Sequence, residues 1–145
     1  MTETPNPFPQ LFLRLTLSVT MLSAVADRFG WWNKESSAWG NMANFKIYTR
    51  QLTSFLPEAL STFSAYSATF FEILFPLMLI LGFKTRIAAY GSSILLLIFA
   101  LSMTISLGAK APLDYSVWVG SAGALMLAVQ KQYSFSIDQL TQKKI

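Results

Sequence analysis

The chain has 145 residues, the length of one ordinary domain, with 53% hydrophobic and only 12% charged residues and a net charge of +4 at pH 7. Soluble domains carry about 25% charged residues; a mean hydropathy of +0.45 and several apolar runs of spanning length indicate an integral membrane protein. The absence of cysteine and histidine excludes thiol–disulfide chemistry, thiolate metal sites, imidazole ligation of haem or copper, and histidine general-base catalysis.

Taken in order, Met1 to Gln10 is polar and carries Pro5, Pro7 and Pro9, which predicts an irregular tail leading into a helix. The first apolar run, Leu11 to Ala26, contains Arg14 and leads into Asp27-Arg28. Its Ala24-Val25-Ala26 ending has the small-residue pattern of a signal-peptide cleavage site, but no lysine or arginine precedes the run. It is therefore expected to stay as a first transmembrane helix, about residues 11–28.

Phe29 to Pro57 is polar, rich in aromatic residues and too long for an idle connection. Trp31, Trp32, Trp39, Phe45, Tyr48 and Phe55 are the residue types that anchor segments at a membrane–water boundary. Met42, Phe45, Thr49, Leu52 and Leu56 follow a three/four spacing, which predicts a short amphipathic helix lying on the membrane or capping the bundle.

The second transmembrane helix is expected over about residues 59–81. It carries one carboxylate, Glu72, on a face otherwise formed by Ser61, Ala65 and Ala68, with Pro76 four residues further on. Gly82 to Arg86 makes a tight basic turn, and a third helix is expected over about 87–107. A fourth, about 115–130, holds the small-residue stripe Ser116, Gly120 and Ala124. Ser134 to Ile145 reads as a soluble tail. The predicted fold is all-α: one four-transmembrane-helix domain over residues 1–145, with an amphipathic aromatic segment between helices one and two.

Four crossings place both termini on one side with Lys84, Arg86, Lys131, Lys143 and Lys144, whereas the other side is close to neutral. The positive-inside rule then makes the termini cytoplasmic and the aromatic segment external, in a bacterial inner membrane. The positive charge reads as topology and contact with anionic lipid, not as a nucleic-acid surface.

An acid at membrane depth is costly and marks a functional candidate by default. Arg14 and Glu72 differ in predicted depth by about 5 Å, so a buried Arg14–Glu72 pair is expected. It reads either as a lock on helix register or as the polar end of an intramembrane pocket, and Arg14 alone can also snorkel to the headgroups. Asp27 and Arg28, with Trp31, Trp39, Asn41 and Asn44, form a second candidate. They read as an interfacial cap or as an external binding site roofed by Trp39 to Phe45. Tyr66, Ser67, Thr69 and Tyr115 are weaker candidates, because such hydroxyls mostly bond helix carbonyls. No residue is singled out as catalytic, and no metal site is expected.

Arg14 early in helix one, Asp27-Arg28 at its end and Glu72 in helix two recur with Gly82-Phe83-Lys84-Thr85-Arg86-Ile87-Ala88 at the turn and Ser136-Ile137-Asp138 in the tail. In order and spacing these resemble the DoxX family of small four-helix bacterial membrane proteins, over almost the whole chain. The segment from Trp31 to Phe55 is longer than the short loop of the plainest members. The family includes DoxD-like subunits of thiosulfate:quinone oxidoreductase and other members linked to membrane oxidoreductase complexes. The resemblance implies a membrane subunit of a redox-linked system that binds a quinone or similar apolar molecule. Its electrons would come from a partner, since the chain lacks cysteine and histidine. The alternative is a non-catalytic anchor, scaffold or assembly factor that docks a partner protein or a second copy. Transport is the weakest class, because the inverted repeats common in transporters are missing.

Overall fold

The computed structural model describes residues 6–142, all helical or irregular among those residues. Seven helices follow in order: α1 (Phe8–Arg28), α2 (Met42–Leu52), α3 (Glu58–Leu81), α4 (Thr85–Leu107), α5 (Lys110–Asp114), α6 (Val117–Ala128) and α7 (Ile137–Gln142). Three of them, α1, α3 and α4, are long and apolar enough to cross a membrane. At 1.5 Å per residue their 21, 24 and 23 residues exceed the hydrocarbon thickness of about 30 Å.

The fourth helix expected over about 115–130 is α6, two residues shorter at each end, and the turn before it carries the single-turn helix α5. Tyr115 N–H bonds the Ala111 carbonyl and Ser116 N–H that of Leu113, closing α5 as a single turn. Ser116 then takes a left-handed conformation (φ 55°), and α6 starts afresh with 12 residues, about 18 Å of helix.

The long helices and α6 form a closed ring in the order α1, α3, α4, α6, with α2 lying across α3 and α4 at one end. Leu17, Leu79, Ala88, Ala89, Ala124, Leu127, Ala128 and Tyr133 make the buried centre. Small residues bring α4 and α6 close: Ser93 Oγ donates to the Ser121 carbonyl (2.9 Å) and Ser121 Oγ to the Ser93 carbonyl (2.8 Å). A hydroxyl pair of this kind satisfies both donors without water. On α3 the face carrying Glu72 is packed inward throughout, with Ser61, Ala65, Ala68 and Glu72 all buried. The helix runs through Pro76 without interruption. Helices α1, α3 and α4 therefore share two distinct ends, one bearing α2 and the other bearing the α3–α4 turn and the C-terminal segment.

That C-terminal segment is not the free tail expected from its polarity. Of the residues 134–145 read as soluble, those up to 142 are described; Lys143 and Lys144 lie outside the described residues, as do Met1 to Pro5. The physical reason for its docking is the α3–α4 turn. Helix α3 ends in a left-handed glycine, Gly82 (φ 65°), with Phe83 N–H bonded to Met78 and Gly82 N–H to Leu79, the pattern that lets a helix reverse sharply. Asp138 crosses to this turn. Its backbone N–H bonds the Gly82 carbonyl (2.9 Å), and its carboxylate accepts from Lys84 N–H and Thr85 N–H, both at 2.8 Å. A carboxylate there satisfies free donors at the start of α4 and complements the helix dipole.

A Cβ at Gly82 would stand 2.3 Å from Ser136 Cβ and 2.6 Å from an Arg14 guanidinium nitrogen. Gly108 shares the positive φ (89°), but a Cβ there would meet nothing within 4 Å. Gly108→Ala is thus expected to cost only backbone strain, about 1–3 kcal/mol. Gly82→Ala should cost clearly more, because the tail must also move. Thermal unfolding of both variants in detergent checks the order; equal losses would mean the tail is not packed on this turn.

Candidate functional site

Arg14 is fully buried, yet it does not meet Glu72, and the expected Arg14–Glu72 pair is corrected accordingly. Its Nε donates to the Leu79 carbonyl (2.9 Å), Nη1 to that of Ser134 (2.8 Å), and Nη2 to those of Ile80 and Phe135, both at 3.3 Å. Helix α3 has no basic residue in its own last turn; Arg14 supplies from α1 the positive charge that the C-terminal end of that dipole favours. Helix register explains the mismatch. Ser18 Oγ donates to the Pro76 carbonyl (3.2 Å), one turn from the Arg14–Leu79 contact. Arg14 is therefore level with Leu79, about 10 Å along the helix from Glu72. Carbonyls lie within reach, and the carboxylate does not.

Glu72 pairs with Arg28 instead. Arg28 Nη1 lies 2.5 Å from Glu72 Oε2, with side-chain exposures of 1% and 4%. Continuing the register from Ser18 puts Arg28 about 15 Å further along α1, at the level of the first half of α3. Its side chain must turn back into the bundle, the reverse of snorkelling. On the way Nη1 donates to Thr69 Oγ1 (2.8 Å), and Thr69 Oγ1 donates to the Ala65 carbonyl (2.9 Å). The two charges touch without the alignment of a hydrogen bond. Among the described residues neither Arg28 Nε nor Glu72 Oε2 has a hydrogen-bond partner.

Two aromatic rings cover the cation. The Phe45 ring centroid is 3.6 Å from the Arg28 guanidinium carbon and that of Trp39 is 5.4 Å away. The two rings meet edge to face at 4.9 Å. Cation–π contact of this kind contributes about 2 kcal/mol when water is excluded. Phe45 comes from the buried face of α2, so α2 is the roof of the ion pair.

Asp27 holds the strand that leads to this roof. Its carboxylate accepts from the Ser37 hydroxyl and from three successive backbone N–H groups, Ala38 (2.9 Å), Trp39 (2.9 Å) and Gly40 (3.2 Å). Adjacent residues on α1 therefore have divided tasks: Asp27 fixes the segment before α2, and Arg28 reaches inward beneath α2.

The remaining candidates are dispersed. Asn41 caps α2 by accepting from Asn44 N–H (2.8 Å), and the Asn44 amide donates to the Trp39 carbonyl (2.8 Å). Both side chains shape the start of α2 and neither touches the ion pair. Trp31 is 77% exposed and meets Phe29 at a tilt of 54°, with ring centroids 5.7 Å apart. Trp32 lies back along α1, its Nε1 donating to the Ser23 carbonyl (3.1 Å). Sequence reasoning placed Thr69 among weak candidates and Phe45 only within a roofing segment. Thr69 lies three residues before Glu72 on the same α3 face, a spacing that could have paired them. Nothing local in the sequence marked Phe45 as the ring on the cation.

Breaking one partner of a buried ion pair leaves the other uncompensated, at a cost of about 3–5 kcal/mol. Glu72→Gln and Arg28→Leu are each expected to destabilise strongly. The Arg28→Leu/Glu72→Leu double variant should lose less than the sum of the single Leu variants. Chemical unfolding in detergent measures this coupling, and strict additivity would contradict the pair. The combination Arg14→Gln with Glu72→Gln should by contrast be additive.

A family model, DoxX, matches residues 10–105, which hold Arg14, Asp27, Arg28, Glu72 and the Gly82–Ala88 turn. Nothing among the curated proteins or the solved structures matches the chain. The family match takes in more than half of the sequence and most of the bundle, including both partners of the buried ion pair. On this match the chain is a membrane protein belonging to the DoxX family.

Proposed function

We propose that this protein is an integral subunit of a redox-linked system in the bacterial inner membrane. In this reading it binds a quinone or similarly apolar small molecule at the α2 end of its bundle. The observation that carries the reading is the Arg28–Glu72 pair: two charges, both nearly fully buried, in a chain whose helices are otherwise built to sit in lipid. Such groups cost several kcal/mol to bury and, at membrane depth, are candidates for ligand or proton sites by default. Arg28 and Glu72 would hold and orient a polar head group. A bound organic molecule and a partner protein would handle the electrons, because the chain has no cysteine or histidine.

In the same reading α5 and α6 together complete a fourth crossing, which leaves both termini on one side. Lys84, Arg86 and Lys131 are exposed at the tail end, which supports a cytoplasmic placement for that end and an external one for α2.

A second reading, a scaffold or assembly factor, is favoured by a different observation. Phe45 already covers the guanidinium, and Asp27 fixes the preceding segment, so the cluster serves equally as a rigid support for a docking surface. The partner would then be another protein or a second copy of this chain.

Native mass spectrometry of the protein gently extracted from its own membrane, with the organic extract analysed in parallel, separates the two. A stoichiometric apolar small molecule, lost in Glu72→Gln, is the result expected of the first reading. A bare chain, or one carrying only another protein, favours the scaffold.

A further inference from the structure

We infer that Phe45 occupies the place of a ligand's ring, and that the ligand is a neutral, planar aromatic head group presenting a hydroxyl to Arg28 and Glu72. This rests on the ligand-binding reading above and specifies its chemistry.

Three observations converge on it. First, the flat face of the guanidinium is covered by a ring at 3.6 Å, with Trp39 closing the side. A guanidinium plane stacks equally on any aromatic face, so the contact suits a planar head group as well as it suits phenylalanine. Second, Arg28 Nε is a buried donor without a hydrogen-bond partner among the described residues, and Glu72 Oε2, 2.5 Å from Arg28 Nη1, keeps a lone pair that this contact does not use. Leaving the Nε donor unsatisfied costs about 1–3 kcal/mol. Thr69 cannot donate to Glu72 Oε2, since its hydroxyl proton already goes to the Ala65 carbonyl, and it accepts from Arg28 at Nη1, not Nε. One hydroxyl oxygen both accepts and donates, so a single ligand hydroxyl satisfies both atoms. Third, the two charges cancel. An anion would meet Glu72 and a cation would meet Arg28, so the pair selects a neutral group.

The route past Phe45 lies in its own side chain. The segment entering α2 is tied to α1 by Asp27, and its C-terminal end to the long helices, where Ser106 Oγ donates to the Leu52 carbonyl (2.8 Å) and Thr53 Oγ1 to Ser61 Oγ (2.8 Å). Between these ties the Phe45 ring is held by packing alone, and its carbonyl bonds Thr49 within the helix. Rotation of that one side chain exposes the guanidinium face.

The test uses two neutral bicyclic probes that differ in one proton donor, 1-naphthol and 1-methoxynaphthalene. Binding is measured to the full-length protein in nanodiscs, against empty discs of the same lipid. The naphthol is expected to bind about tenfold more tightly than the ether, the worth of a hydrogen bond to a buried charged group. Phe45→Leu should tighten naphthol binding about fivefold, since the competing ring is gone and more of the protein is open. Equal binding of both probes, lost in Glu72→Gln, would overturn the hydroxyl contact while the broader ligand reading stands. No binding above the empty discs would overturn the inference. Weaker naphthol binding in Phe45→Leu, with the variant still folded by its melting curve, would make Phe45 a wall of the site and overturn its role as placeholder.

Discussion

Burying an ion pair in a membrane bundle sets a condition that the surrounding chain has to meet. Neither Arg28 nor Glu72 can leave the pair without stranding the other in low dielectric, so the helices carrying them must keep one relative position. Arg28 is the last residue of α1 and its side chain turns inward, which brings the end of that helix against Thr69 and Glu72 of α3. The exposed side of the guanidinium then needs a cover that is neither water nor lipid. Phe45 and Trp39 provide it, which explains why a polar connection doubles back over the bundle and does not loop away. Asp27, one residue earlier, anchors that connection through three consecutive backbone N–H groups and a serine hydroxyl. The α2 end is organised outward from the pair.

The other end uses the same arginine chemistry without a direct ion pair. Arg14 is as buried as Arg28, but its charge is spread over carbonyls of α3 and of the C-terminal segment. Helix α1 is thus fastened to α3 at two points, Glu72 and Leu79, about 10 Å apart along α3, once through an ion pair and once through the negative end of a helix dipole. The C-terminal segment is drawn into the second fastening, with Gly82 leaving room for Ser136 and Asp138 capping α4. Several of the residues that carry the family resemblance therefore hold the bundle together, a task distinct from any ligand at the far end.

The all-helical fold and the membrane character were legible because they rest on long-range averages: apolar runs of spanning length, few charges, and proline or glycine at the breaks. Glu72 stood out for the same reason, as a charge where charges are costly, whereas Arg28 was legible only as part of an external, interfacial candidate. Their pairing was not legible. Depth arithmetic favoured Arg14, and it failed because a shift of one or two turns in helix register, set by Ser18 against Pro76, changes which side chains can touch. The helical turn α5 within the connection before α6 was equally hidden, since five residues leave no trace in an apolar average. The docking of the C-terminal segment depends on Asp138 meeting backbone donors more than 50 residues earlier, a contact that polarity alone reads as a free tail.

The division of labour along α1 (Arg14 for assembly, Arg28 for the candidate site) is the central claim, and magnetic distance measurement reads it directly. Solid-state NMR of protein in lipid, with 15N in the arginine guanidinium groups and 13C in the glutamate carboxyls, reports any pair within about 4 Å, the reach of an ion pair. The account predicts one such contact in the parent protein, retained in Arg14→Lys and absent in Arg28→Lys. A contact that survives in Arg28→Lys and vanishes in Arg14→Lys would contradict it, and would move the site to the tail end of the bundle.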